Sequence, residues 1–150
     1  MFGVVPFVKA AGRGLGKMFK GKEAEDALKK EVGDLGLSKD VEIEVNEYGL
    51  VTVKGQGMSQ EMKEKVILAV GNVEGVGEVK DDIAVDGDDT PSQFHTVVSG
   101  DTLWAVSKKY YGKGGRYKEI FEANRPMLKH PDKIYVGQVL RIPADRTESV

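Results

Sequence analysis

The amino-acid sequence predicts an α+β protein of two small units, the first running helix–strand–strand–helix–strand and the second strand–helix–helix–strand. Three features carry this reading. Val41, Ile43 and Val45 alternate with Glu42, Glu44 and Asn46, the period-two pattern of a half-buried strand. Stretches with apolar residues three and four apart flank the strands, as in helices packed on one face. A run poor in apolar residues, Asp86-Gly87-Asp88-Asp89-Thr90-Pro91-Ser92-Gln93, then reads as a linker. The chain has 150 residues, which is room for two small domains, and 40% are hydrophobic, enough for a core in each.

Taken in order, Pro6 to Phe19 reads as a helix with Phe7, Ala10, Ala11, Leu15 and Met18 on one face and Lys9, Arg13, Lys17 and Lys20 on the other. Gly12, Gly14 and Gly16 weaken it in isolation, so it needs a surface to pack against. A break at Gly21-Lys22 follows. Residues 23–35 repeat the helical pattern with Ala24, Ala27, Leu28, Val32 and Leu35. Asn46-Glu47-Tyr48-Gly49 turns the chain into a second strand over Leu50–Lys54, which Gly55-Gln56-Gly57 ends. Ser59 is placed to cap a helix whose buried stripe is Met62, Val66, Ala69 and Val70, with Gly71 at its C-terminal cap. A third strand spans about 76–85. In the second unit, strands at Phe94–Val98 and Val139–Pro143 enclose helices at about 102–110 and 117–124. Asp101 or Thr102 caps the first of these, Leu103 and Trp104 bury its face, and Gly137 permits a tight turn.

The net charge of −2 is unevenly spread. Residues 1–22 carry five bases and no acid, residues 23–93 carry 18 acids and 7 bases, and residues 94–150 carry 10 bases and 6 acids. Basic ends flanking an acidic middle favour docking within the molecule. An interfacial membrane helix is a weaker reading of the basic start, because its apolar face is short and rich in Ala and Gly. No nucleic-acid motif accompanies the bases. With no cysteine, disulfides and thiolate metal sites are excluded. His95 and His130 are too few for a His-based zinc site, and the aspartates at 81, 82, 86, 88 and 89 lack an ordered calcium-ligand spacing. No nucleophile–base arrangement is readable, so an enzyme is not expected. The apolar run at 2–8 has no preceding base and is interrupted by Pro6, unlike a secretory signal, and no stretch approaches the ~20 apolar residues of a membrane span. A cytoplasmic location is expected.

Residues 94–143 resemble a LysM module through Phe94-His95-Thr96-Val97-Val98-Ser99-Gly100-Asp101-Thr102-Leu103-Trp104 and Ile134-Tyr135-Val136-Gly137-Gln138-Val139-Leu140-Arg141-Ile142-Pro143. Residues 23–86 resemble a BON domain through the 41–54 hairpin, Gly55 and Val70-Gly71-Asn72-Val73-Glu74-Gly75-Val76. This ordered pair, with the start Phe7-Val8-Lys9-x-Ala11-Gly12, is similar to the bacterial family of cytoplasmic BON–LysM potassium-binding proteins. The implied organisation is a 1–22 segment docked on the BON domain (αββαβ, 23–86), a linker at 87–93, a LysM domain (βααβ, 94–143) and a frayed 144–150 tail.

The resemblance implies a K⁺ site of main-chain carbonyls, carried position by position onto Val8, Lys9, Ala11, Gly71, Val73 and Val76. A large, weakly polarising cation suits neutral carbonyls, whereas Ca²⁺ and Mg²⁺ favour carboxylates. The implied protein is a monomeric K⁺ sensor or buffer that becomes more compact on binding, with Rb⁺ and Cs⁺ as candidate substitutes. The alternative, from other LysM relatives, is peptidoglycan or another GlcNAc polymer held by Gly100, Asp101, Thr102, Leu103, Ile134, Tyr135, Val136, Gly137 and Gln138. The absence of an export signal and the long 111–131 region disfavour it. Trp104 reads as core, although an indole near a groove can stack on sugars.

Overall fold

The computed structural model describes residues 3–7, 21–37, 41–87 and 90–145. The first unit is a four-stranded sheet with two helices. Its elements are β1 (Gly3–Pro6), α1 (Gly21–Asp34), β2 (Glu42–Val45), β3 (Val51–Met58), α2 (Gln60–Gly71) and β4 (Glu78–Val85). The spatial order is β1-β4-β3-β2. β2 and β3 form an antiparallel hairpin, β3 and β4 run parallel through the α2 crossover, and β1 adds antiparallel to β4. Alternation decides which side chains face the helices. Ile43 and Val45 are buried while Glu42 and Glu44 are exposed, and Val79 and Ile83 enter the same core as Leu28, Val66 and Val70.

Local chemistry explains the joints. The Asn46 side chain accepts hydrogen bonds from the Tyr48 and Leu50 N–H groups, and Gly49 takes φ +85° to complete the hairpin. Ser59 caps α2 by accepting from the Met62 N–H at 3.1 Å. Two expectations change. Pro6 closes a strand rather than opening a helix. Gly3-Val4-Val5-Pro6 combines β-branched residues with a proline at a sheet edge, where the missing N–H costs no ladder bond; residues 8–19 of the expected helix lie outside the described residues. β3 also runs on through Gly55-Gln56-Gly57, because a register shift between Gly55 and Met58, with Gly57 at φ +75°, absorbs the glycines as a bulge.

The second unit pairs β5 (Gln93–Thr96) with β6 (Val139–Ile142), antiparallel, and packs α3 (Leu103–Tyr111), a 3₁₀ turn (Gly114–Arg116) and α4 (Tyr117–Ala123) beside them. Thr102 rather than Asp101 caps α3, accepting from Ala105 N–H. Leu103 is buried, but Trp104 is 52% exposed and is not core. Its indole lies flat over Gly114, where a Cβ would overlap the ring. His95, in β5 as expected, is buried between the Tyr110 hydroxyl and the Asp101 carboxylate.

The two units share an interface built on β6 and α2. Val139 is buried in the first unit's core, and Phe94 and Met127 pack against that core. Beside them is a buried ion pair: Arg141 Nε donates to Glu64 Oε1 at 2.8 Å, and the two side chains are 8% and 3% exposed. Arg141 also donates to the Ala123 carbonyl and Ser92 Oγ, while Glu64 Oε2 accepts from the Gln60 side chain and the Ser92 N–H. Burial alone would raise the Glu64 pKa, but the hydrogen bonds from Gln60, Ser92 and Arg141 outweigh it and hold the carboxyl below its ordinary range.

A buried carboxylate stripped of its cation is costly. Arg141→Leu is expected to lower stability by about 3–5 kcal/mol at neutral pH, and adding Glu64→Leu to recover most of that loss, measured by urea unfolding. Because the Glu64 pKa is depressed in the folded state, its contribution is present above about pH 4.3 and disappears as pH falls through the lower folded pKa. The acid limb of the stability profile is therefore expected to be shallower in Glu64→Gln.

Candidate functional site

The candidate ion loop begins where α2 ends. Gly71 is the last helical residue, and Asn72 follows as the C-cap at φ −83°, ψ 13° with its N–H bonded back to the Leu68 carbonyl. The expected role of Gly71 as the cap is thus replaced by another. Gly71 is buried, and a Cβ there would overlap the ring of Phe7. Glycine is required for close approach, not for a left-handed backbone. The Phe7 N–H then donates to the Gly77 carbonyl at 2.9 Å. The start of the chain is held at both ends of the loop, immediately before the 8–11 stretch.

Within the loop, the side chains of Val73 and Val76 are buried at 1% and 0% exposure and anchor the backbone. Gly75 makes the turn at φ +105°. The Val73 carbonyl accepts the Val76 N–H at 3.1 Å. Among the described residues, no hydrogen bond ends on the carbonyls of Gly71 or Val76. The site also lies at the negative end of the α2 dipole, whose last turn carries no basic residue. Among the described residues, no cluster of three His, Cys, Asp or Glu side chains could hold a metal ion. The loop offers backbone carbonyl oxygens, and its one acidic side chain, Glu74, is exposed.

Gly71, Val73 and Val76 therefore lie in one short bend; Val8, Lys9 and Ala11 lie outside the described residues. Sequence reasoning missed Asn72. Its side chain works as a substitute strand residue for β6: Nδ2 donates to the Val139 carbonyl and Oδ1 accepts the Val139 N–H, both at 2.8 Å. The Tyr135 hydroxyl reaches the Asn72 carbonyl at 3.4 Å. An asparagine just beyond a helix was legible as a cap, but its partner 67 residues away was not.

The alternative glycan residues are also brought together, through Val97 N–H to the Gln138 carbonyl and Gly137 N–H to the Val97 carbonyl. Several of their side chains are already engaged. Asp101 Oδ2 accepts from His95 and the Val98 N–H, and its carboxyl is held below the ordinary range by those bonds. Thr102 caps α3, the Gln138 side chain accepts from Tyr135 N–H, Leu103 is buried and Ile134 packs on the second core. Gly100, Tyr135 and Val136 are exposed, beside the exposed Val98.

A half-covered sheet with its helices, followed by a strand pair enclosing two helices, defines a BON domain joined to a LysM domain; family models so described match residues 22–87 and 95–143. The chain belongs to the BON–LysM family that includes a protein of Escherichia coli named potassium binding protein Kbp, to which it is 47% identical over 149 residues, covering 95% of this chain and 99% of that protein. An uncharacterized protein of Deinococcus radiodurans is 41% identical over 63 residues, 41% of this chain and 24% of its own. Among the described residues, no helix is long and apolar enough to cross a membrane.

If Phe7 is what requires Gly71, Gly71→Ala will displace the ring and destabilise the fold by about 1–3 kcal/mol, the usual cost of overpacking. In a Phe7→Ala background the same change should cost far less. Urea unfolding of the four proteins of this cycle measures the difference.

Proposed function

We propose that this protein binds K⁺ through the backbone carbonyls of Val8, Lys9, Ala11, Gly71, Val73 and Val76. The observation that carries the reading is the seat of Phe7 on Gly71 and Gly77, which delivers the chain to the loop one residue before Val8. The name of the E. coli relative supports it. Carbonyl oxygens bind a cation that gives up its water readily; they do not compensate the dehydration of Mg²⁺. Rb⁺ and Cs⁺ follow K⁺ in size and are expected to substitute for it.

Ion binding bridges the two halves of the site, so it stabilises whichever state holds them together. The same loop carries Asn72, which Val139 of the LysM domain grips on both amide atoms. Holding the loop in one conformation therefore favours domain docking, and the bound form is the compact one. A monomeric cytoplasmic sensor or buffer, without catalysis, is the activity this arrangement suits. The GlcNAc-polymer reading rests on the LysM match and on the exposed Val98, Tyr135 and Val136. It is second because the Tyr135 hydroxyl is turned to the BON domain.

Calorimetry with KCl, NaCl and a GlcNAc oligomer at matched ionic strength separates the readings. Saturable heat with K⁺ and none with the sugar is expected; the reverse would overturn the order. Lys9→Ala should leave K⁺ affinity nearly unchanged, since the proposed ligand is its carbonyl. Asn72→Ala, which removes two interdomain hydrogen bonds, should weaken K⁺ binding about tenfold, or ~1.4 kcal/mol.

A further inference from the structure

A cavity of about 440 Å³ opens between the two domains, on the α1 side of the ion loop. Its floor is apolar: Leu35, Leu68, Ala69 and Val73 from the BON domain face Met127 and Leu128 from the LysM domain. Its volume and lining fall in the range of small-molecule sites, which commonly form where domains meet. The mouth is different. Lys129, His130 and Lys133 stand around it, all exposed. Among the described residues, neither lysine ammonium is in an ion pair. His130 Nδ1 lies 3.1 Å from the Asp132 backbone nitrogen.

We propose that this cavity binds a small amphipathic carboxylate, of the chemical class of a medium-chain fatty acid. The apolar floor takes the chain, and the Lys129 and Lys133 ammonium groups take the head at the mouth. One acid complicates the charge balance. Glu31 lines the α1 wall, but it is buried and already has a partner of its own. An acidic side chain on that wall disfavours a carboxylate beside it, so the head is assigned to the lysine side of the cavity. The Tyr135 hydroxyl, from the LysM side of the lining, donates to the Asn72 carbonyl and leaves the head group to the two lysines. The proposal does not rest on the ion-binding reading, although the two sites share the Asn72–Val73 wall.

The test uses the full chain in KCl at fixed ionic strength, titrated with octanoate, octanol and octylammonium and followed by amide chemical shifts. Octanoate should give saturable shifts concentrated at 68–73 and 127–138, with octanol weaker and octylammonium weakest. The Lys129→Ala/Lys133→Ala protein, altered at two exposed positions, should fold normally and bind octanoate about tenfold less well. Absence of saturable shifts in those segments would overturn the proposal. So would binding of octanol or octylammonium as tight as octanoate, or unchanged octanoate affinity in the double variant.

Discussion

The contact between the Phe7 ring and the bare face of Gly71 is the constraint on which the arrangement depends. It occurs at the last residue of α2, where the helix stops supplying partners to its own carbonyls. Each neighbouring residue is then claimed by a different part of the molecule. Gly71 is covered by the start of the chain, Asn72 is gripped by β6 of the LysM domain, and Val73 is sunk in the BON core. A bend so shared cannot change shape without disturbing all three. That makes it a suitable place for a ligand whose binding must be felt across the protein, because coupling needs an element whose conformation both sites bias.

The donor chemistry follows from the same geometry. A helix C-terminus followed by a glycine turn gathers carbonyls in one place. Such oxygens offer a cation partial charge and adaptable spacing, and the buried Val73 and Val76 side chains keep the backbone that bears them in place. The interdomain face is built on another principle. Arg141 and Glu64 are both desolvated, and every polar atom they present finds a partner among the described residues. A buried pair of this kind adds little net stability over an apolar equivalent. Its consequence is geometric: only one docking of β6 on α2 satisfies it, and that docking also presents the Val139 backbone to Asn72.

Much of the fold was legible because local rules and global packing agree. The alternation at 41–45, the Ser59 cap, the Asn46–Gly49 turn and the Thr102-capped helix all depend on residues near in sequence. The misreadings have a common cause. Pro6 as a strand end, β3 running on through Gly55–Gly57 and Trp104 as a surface ring all depend on a partner distant in sequence or on a neighbouring glycine. Gly71 is the clearest case. Its spacing fitted a cap, yet its purpose is set by an aromatic residue 64 positions earlier, and no periodicity carries that information. For the candidate site, Gly71, Val73 and Val76 were reached through family resemblance rather than through side-chain chemistry, since backbone ligands leave almost no residue-type signature. The two bonds from the Asn72 side chain to Val139 were invisible for another reason, a partner 67 positions away in sequence.

The central claim, that peptide oxygens from the 8–11 stretch and from the 71–76 bend meet at one monovalent cation, is open to direct observation. Crystals grown in RbCl and measured across the rubidium absorption edge locate the ion by its anomalous signal. The account predicts a peak in coordination contact with the carbonyl oxygens of Gly71, Val73 and Val76 on one side and of Val8, Lys9 and Ala11 on the other. A peak held by carboxylates, a peak at any other place in the molecule, or no peak in the 71–76 bend would contradict it.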